Sequence, residues 1–215
     1  VLWRDPGPVA SLDLPAGPGG RGKAPQPPFA FLKEDATGTS PKVSVRDARG
    51  VTWSVKFGPE VKAETFASRL AWAAGYFTEP TYFVPEGTIE GANSLSRASA
   101  FIKNGKFSDA RFELRDESVY RLVEPNKWFF DDPSLKGTKE LAGLKLTTML
   151  LSNWDIKRDN TAVIEAGGHR RYALTDWGAS MGASQDRSGR SKWDCEGFAK
   201  QSQNFVQEVG DGFVT

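Results

Sequence analysis

Asp155, Asn160 and Asp176 are the residues of this chain whose types and spacing best fit a reaction. They stand in two polar stretches, Ser152-Asn153-Trp154-Asp155-Ile156-Lys157-Arg158-Asp159-Asn160 and Leu174-Thr175-Asp176-Trp177-Gly178. Phosphoryl transfer needs an acceptor for the proton of an incoming hydroxyl, ligands for a metal, and cations on the phosphates. Mg²⁺ prefers oxygen ligands, so a carboxylate and an amide carbonyl suit it alongside phosphate and water. Asp155, Asn160 and Asp176 supply three such oxygens, and a short hairpin between Asn160 and Asp176 would return both to one edge of a cleft. Each is ordinary alone, because a solvated loop after a helix yields Asp-x-Lys-x-x-Asn and an aspartate often caps a turn. The succession of the two stretches carries the signal.

Other chemistries fare worse. One histidine and one cysteine rule out a zinc site of the usual ligand set. His169, in Gly167-Gly168-His169-Arg170-Arg171, reads as part of a tight turn, and a Ser-His-Asp mechanism would need it as the base. Cys195 lies between Asp194 and Glu196, acids that raise a thiol pKa, so it reads as a buried or incidental residue. The 28 basic and 27 acidic side chains leave a net charge of +1, and no basic stripe is present, so no nucleic-acid partner is expected. No apolar run approaches the roughly 18 residues of a membrane span. The chain starts at Val1 rather than Met, which leaves two compartments open: the bacterial cytoplasm, or export after removal of a signal.

Periodicity supplies the elements that must hold these residues. Residues 1–28 are rich in Pro and Gly and read as an extended arm or linker. Strands are predicted at Phe29–Glu34, Lys42–Asp47 and Val51–Phe57, the second with clear apolar-polar alternation. Gly58-Pro59 ends the third strand and opens a helix running to about Ala74, with Gly75 as its stop. Pro80–Val84 and Ser118–Val123 read as further strands, while 86–116 has no clear pattern. Trp128, Phe129 and Phe130, in a loop, read as core residues rather than a base-stacking platform. A second helix is predicted from Thr138 to about Asn153, with Leu141, Leu144, Leu146, Met149 and Leu150 as a broad apolar face. The strands Thr161–Ile164 and Arg171–Thr175 then form the hairpin. The domains predicted are an arm (1–28), a β-rich segment (29–126) and a segment carrying the two polar stretches (127–215), in an α+β chain.

The two stretches resemble the protein-kinase-like superfamily. Asp155-x-Lys157-x-x-Asn160 is similar to its catalytic loop, and Asp176-Trp177-Gly178 to its Asp-Phe-Gly metal motif, with Trp in place of Phe. Upstream, Val55-Lys56-Phe57 resembles the strand whose lysine grips the α- and β-phosphates, and Glu64 on the next helix resembles that lysine's partner. Glu60, one turn earlier, is a rival partner. Gly38-Thr39-Ser40-Pro41-Lys42 resembles the Gly-x-x-x-Lys phosphate loop of HipA-like kinases, and the helix from Glu64 through Ala71–Gly75 resembles their Glu-bearing helix, which ends near Ala-x-x-Gly; bacterial proteins with kinase-like motifs are similar too. The resemblance covers roughly residues 29–180. It implies a two-lobed protein-kinase-like fold: a β-rich N-lobe with one main helix, and a helical C-lobe that is reduced or truncated, since only 39 residues follow Asp176. A further C-terminal segment or a second chain completing the C-lobe is a third reading. The roles implied are catalytic for Asp155 (base) and Lys157 (on the transferred phosphate), and metal-binding for Asn160 and Asp176. Gly38, Thr39, Ser40, Lys42, Lys56 and Glu64 are implied to hold the nucleotide. The expected cofactors are ATP with Mg²⁺ or Mn²⁺, and the acceptor is a hydroxyl of a protein or small molecule.

Three alternatives stand beside a phosphotransferase: an ATP-binding pseudokinase or regulatory module, a nucleotidyltransferase on the same scaffold, and a non-catalytic surface protein. Asn153-Trp154 replaces the usual His-Arg before Asp155, as in atypical kinases; the absence of Gly-x-Gly-x-x-Gly and the short stretch after Asp176 motivate the pseudokinase.

Overall fold

The computed structural model describes residues 1–115, 121–153, 155–166, 168–182, 192–202, 209–210 and 213–214. Trp154, Gly167 and residues 118–120 of a predicted strand lie outside these.

Alternation in the first half builds a sheet that closes on itself. β1 (Phe29–Asp35), β2 (Lys42–Arg46) and β3 (Thr52–Phe57) form an antiparallel meander. α1 (Glu60–Ala73) follows, then β4 (Thr81–Glu90), the short β5 (Ile102–Lys103) and β6 (Lys106–Leu114). β6 pairs with both β4 and β3, and β4 runs parallel to β1, so the order β3-β2-β1-β4-β6 closes through β3–β6. Closure leaves few bare edges. It also encloses Phe29, Trp53, Phe57, Tyr82, Phe107 and Phe112 in one aromatic core.

β6 falls in the stretch without a sequence pattern. Asp109 has φ 51, and the inward set changes parity there, from Phe107 to Ala110, Phe112 and Leu114. That shift erases the period-two signal. Arg111 and Glu113, on the other face, pair in register with Lys56 and Ser54 of β3 and are buried under α1.

The second half has its own core. β7 (Arg121–Leu122), β8 (Thr161–Ala166) and β9 (His169–Leu174) form a three-stranded sheet beside α2 (Lys139–Leu150). α3 (Cys195–Ser202) and the paired two-residue strands β10 (Val209–Gly210) and β11 (Phe213–Val214) follow. Trp128, Leu141, Leu144, Val163, Leu174 and Trp177 pack with Ala67 and Ala71 of α1, and the same helix lies against β3, β4 and β6 of the closed sheet. Of the three aromatics expected in the core, Trp128 is buried there, Phe130 packs against it half-buried, and Phe129 is half-buried outside it. The apolar face of α2 is narrower than its sequence suggests: Leu141 and Leu144 are buried, whereas Leu146, Met149 and Leu150 are exposed. Cys195 is exposed, so of the two readings only the incidental one holds.

The N-terminal arm is more structured than a linker. It makes three 3-10 turns, at Val9–Ser11, Gly17–Gly19 and Arg21–Lys23. It buries Leu2 in the second core, and Trp3 Nε1 donates to the Ala74 carbonyl at 2.7 Å. No helix among the described residues is long and apolar enough to cross a membrane.

Candidate functional site

Lys56 sits on the face of β3 opposite the aromatic core, and strand register sets its neighbours. It lies across from Lys42 of β2 and from Arg111 of β6, which makes a cationic row over three adjacent strands. Like charges directly opposite one another repel. α1 answers with Glu64, whose Oε2 accepts from Lys56 Nζ at 3.0 Å while its Oε1 lies 2.6 Å from Arg111 Nη1. Lys56, Glu64 and Arg111 are 7%, 1% and 4% exposed, so each depends on the others for its charge. Burial opposes the Lys56 charge, but Glu64 and then Asp176 outweigh it, and its pKa is raised. Burial lifts the Glu64 pKa, and Arg111 and Lys56 limit the rise. Glu60 also reaches Lys56, with Oε2 at 2.8 Å from Nζ, so both acids weighed as its partner engage it.

The loop between β1 and β2 is held at both ends. Asp35 accepts from the Thr37 hydroxyl at 2.6 Å and the Thr37 amide at 2.9 Å, which holds its pKa down to about 2. Lys42 Nζ lies 3.4 Å from Asp35 Oδ2. Arg97 donates to the carbonyls of Ala36 and Gly38, both at 2.9 Å, and to that of Thr39. Gly38 has φ 72, a conformation that favours glycine. Ser40 Oγ donates to Glu60 Oε2 at 2.9 Å and so ties the loop to α1.

Across the cleft, the loop after α2 presents the second group. Lys157 Nζ donates to both Asp155 carboxylate oxygens, at 2.9 and 2.8 Å. Asn160 Nδ2 donates to the Asp155 backbone carbonyl at 2.8 Å and to Oδ2 at 3.1 Å, which leaves its side-chain carbonyl as the ligand-capable atom. The Thr175 amide donates to the Asn160 carbonyl at 2.9 Å, so the β8–β9 hairpin binds the two polar stretches together. Trp177 is buried, and its Nε1 donates to the Leu174 carbonyl at 3.0 Å. That anchor turns Asp176 outward. Asp176 Oδ1 accepts from the Gly178 amide at 2.9 Å and lies 3.9 Å from Lys56 Nζ. A Cβ at Gly178 would fall 2.8 Å from Glu60 Oε2 and 3.0 Å from both Asp176 Oδ1 and Lys56 Nζ, so a side chain there would push these charged ends aside.

These groups enclose a polar cleft of about 1020 Å³. Gly38, Thr39, Ser40, Lys42, Lys56 and Glu64 line it from the closed sheet and α1, and Asp155, Lys157, Asn160 and Asp176 line it from the other side. All ten residues singled out in the sequence therefore face one space, at the upper end of the size range of small-molecule sites. Among the described residues, no three His, Cys, Asp or Glu side chains gather as a metal site. A cation on Asp176 and Asn160 would take its remaining oxygens from ligand and water, a pattern that suits Mg²⁺.

The sequence reading missed a group at the inner end of the cleft. Arg111 Nη2 donates to Glu113 Oε2 and Arg115 Nη2 meets Glu113 Oε1, both at 2.6 Å, with Glu79 beside them. Burial, reinforced by Glu113, raises the Glu79 pKa well above the ordinary carboxylate value. Lys192 was missed too: its ammonium donates to the carbonyls of Gly178 and Ser180 at 2.7 Å and of Gly182 at 2.9 Å. The only signal for Arg111 was the Arg-x-Glu alternation at 111–113, and nothing in the sequence pointed to Lys192.

No protein-family model matches this chain, and no curated protein matches it. Among solved structures, the crystal structure of a Helicobacter pylori proinflammatory kinase, CtkA, is similar at a TM-score of 0.42 and 15% identity. The likeness covers 73% of this chain and 60% of the length of that one.

Proposed function

We propose that the cleft is the nucleotide and metal centre of an atypical, protein-kinase-like phosphotransferase. In this reading it transfers the γ-phosphate of ATP, with Mg²⁺ or Mn²⁺, to a hydroxyl of a protein or small molecule. The observation that carries the proposal is the meeting across the cleft of Lys56, paired with Glu64 at 3.0 Å, and Asp176, with 3.9 Å between ammonium and carboxylate. The closed sheet with α1 then serves as the N-lobe, and α2 with the β8–β9 hairpin as part of the C-lobe.

The residues present fit the cofactors. Lys56, kept charged and aimed by Glu64, holds phosphate oxygens, and the Gly38–Lys42 loop covers them in the manner of HipA-like kinases. Asp176 and the Asn160 carbonyl are the metal ligands. Asp155 accepts the proton of the acceptor hydroxyl, and Lys157, now on its carboxylate, swings to the transferred phosphoryl group. Bound ATP supplies the phosphoryl group, and the metal neutralises its charge.

The test is incubation with Mg²⁺ and ATP labelled at either the α or the γ position, followed by detection of labelled protein or small molecule. The expected result is transfer of the γ label alone, abolished by Asp155→Ala. Transfer of the α label would show nucleotidyl transfer instead. Binding of ATP with no transfer of either label would show a pseudokinase.

A further inference from the structure

Glu60 has no part in the reaction just described, yet it stands at its centre. Glu64 already neutralises Lys56 from the more buried position, at 1% exposure. Glu60 adds a second carboxylate to the same ammonium, at 2.8 Å. The same Oε2 atom accepts from Ser40 Oγ at 2.9 Å and lies 2.8 Å from where a Cβ at Gly178 would be. An oxyanion held between an ammonium and a loop hydroxyl, against a glycine, is chemically what a phosphate oxygen would be there.

Position on the helix makes this acid displaceable. Glu60 is the first residue of α1, after Gly58 at φ 106, and its side chain is 19% exposed against 2% for Glu64. An acid in the first turn also suits the helix dipole. That accounts for a negative charge at this end of α1, but not for its reach to Lys56 and Ser40.

We propose that Lys56 Nζ and Ser40 Oγ form an anion subsite for phosphate-type oxygens, which Glu60 occupies and from which a triphosphate must displace it. The inference takes the nucleotide from the function proposed above; the anion chemistry stands apart from it. A ligand that binds only when Glu60 has left loses affinity in proportion to the time the subsite is filled. Glu60→Gln keeps the size and removes the charge. Glu60→Asp keeps the charge at the helix start but is one methylene too short to span Lys56 and Ser40.

The test is isothermal titration of inorganic pyrophosphate, and separately of ATP, into the full chain and both variants, with melting temperatures measured alongside. The expected result is a pyrophosphate Kd about tenfold lower in Glu60→Gln, equivalent to about 1.4 kcal/mol. A smaller gain is expected in Glu60→Asp. Unchanged or weaker pyrophosphate binding in both Glu60 variants, or no binding to any protein, would overturn the inference. Tighter pyrophosphate binding in Glu60→Gln without ATP binding would uphold the subsite and count against the nucleotide reading. Equal ATP affinity in all three chains would do the reverse.

Discussion

Glu64 is shared by two cations, and that sharing decides what each substitution at the centre does. Removing one partner of a buried pair costs about 3–5 kcal/mol when the other is stranded. Lys56→Met leaves Glu64 paired with Arg111, so its cost should sit at or below the bottom of that range, about 3 kcal/mol. Arg111→Met leaves Glu64 with Lys56 alone and Glu113 with only the more exposed Arg115, so it weakens two buried acids at once and should cost more, about 4 kcal/mol or above. Urea denaturation of the two variants checks the order, and equal losses would contradict it. Glu79 gives a pH dependence. Its folded-state pKa is raised, so the folded chain holds the proton longer than the unfolded chain does. Stability from this site is therefore present below the ordinary carboxylate range and is lost as pH rises through it toward the folded pKa. Glu79→Gln should raise the melting temperature at pH 8 and leave it nearly unchanged at pH 4. At this scale Lys56, Glu64, Asp155, Asn160 and Asp176 were legible because their types and spacing form a pattern. Arg111 was not, because a single arginine in an irregular strand has no signature until register sets it opposite Lys56.

The elements explain why these side chains converge. α1 presents Glu64 to the sheet and Ala67 and Ala71 to the second core, so a shift of the helix would move the Lys56 partner relative to Asp176. α2 is started by Thr138, whose hydroxyl accepts from the Leu141 amide at 3.2 Å. Thr138→Ala should cost about 1 kcal/mol in denaturant titration. Gly178 governs the fit of the two sides. Gly178→Ala would place a methyl between Glu60, Asp176 and Lys56, and ATP affinity should fall by about tenfold, as read by titration calorimetry. β1 to β3, both main helices and the hairpin were legible because their apolar spacing is regular. β6 was not, since the positive φ at Asp109 within the strand goes with a change of its inward parity, and its other face buries charge. The outer residues of α2 misled for the converse reason: Leu146, Met149 and Leu150 are apolar but exposed.

On the scale of the whole molecule, α1 joins the closed sheet, through Glu64, to the second core, through Ala67 and Ala71, and the cleft opens between the two sides. The N-terminal arm strengthens that joint. Leu2 enters the second core, and the backbone of Arg4 donates to the Gly75 carbonyl at 3.0 Å, just past α1. Leu2→Ala should cost about 2–3 kcal/mol, within the range for large-to-small core changes. A Pro- and Gly-rich composition did not announce this docking, because it depends on single residues such as Leu2 and Trp3 rather than on a periodic face. The central claim is that Lys56 and Asp176 hold a triphosphate and a metal between them. The measurement that tests it most directly is calorimetric binding of a non-hydrolysable ATP analogue, with and without Mg²⁺, to the native chain and to Asp176→Asn. The account predicts binding to the native chain that tightens with Mg²⁺, and a loss of the Mg²⁺ effect in Asp176→Asn. No binding to the native chain, or a Mg²⁺ effect that survives in Asp176→Asn, would contradict it.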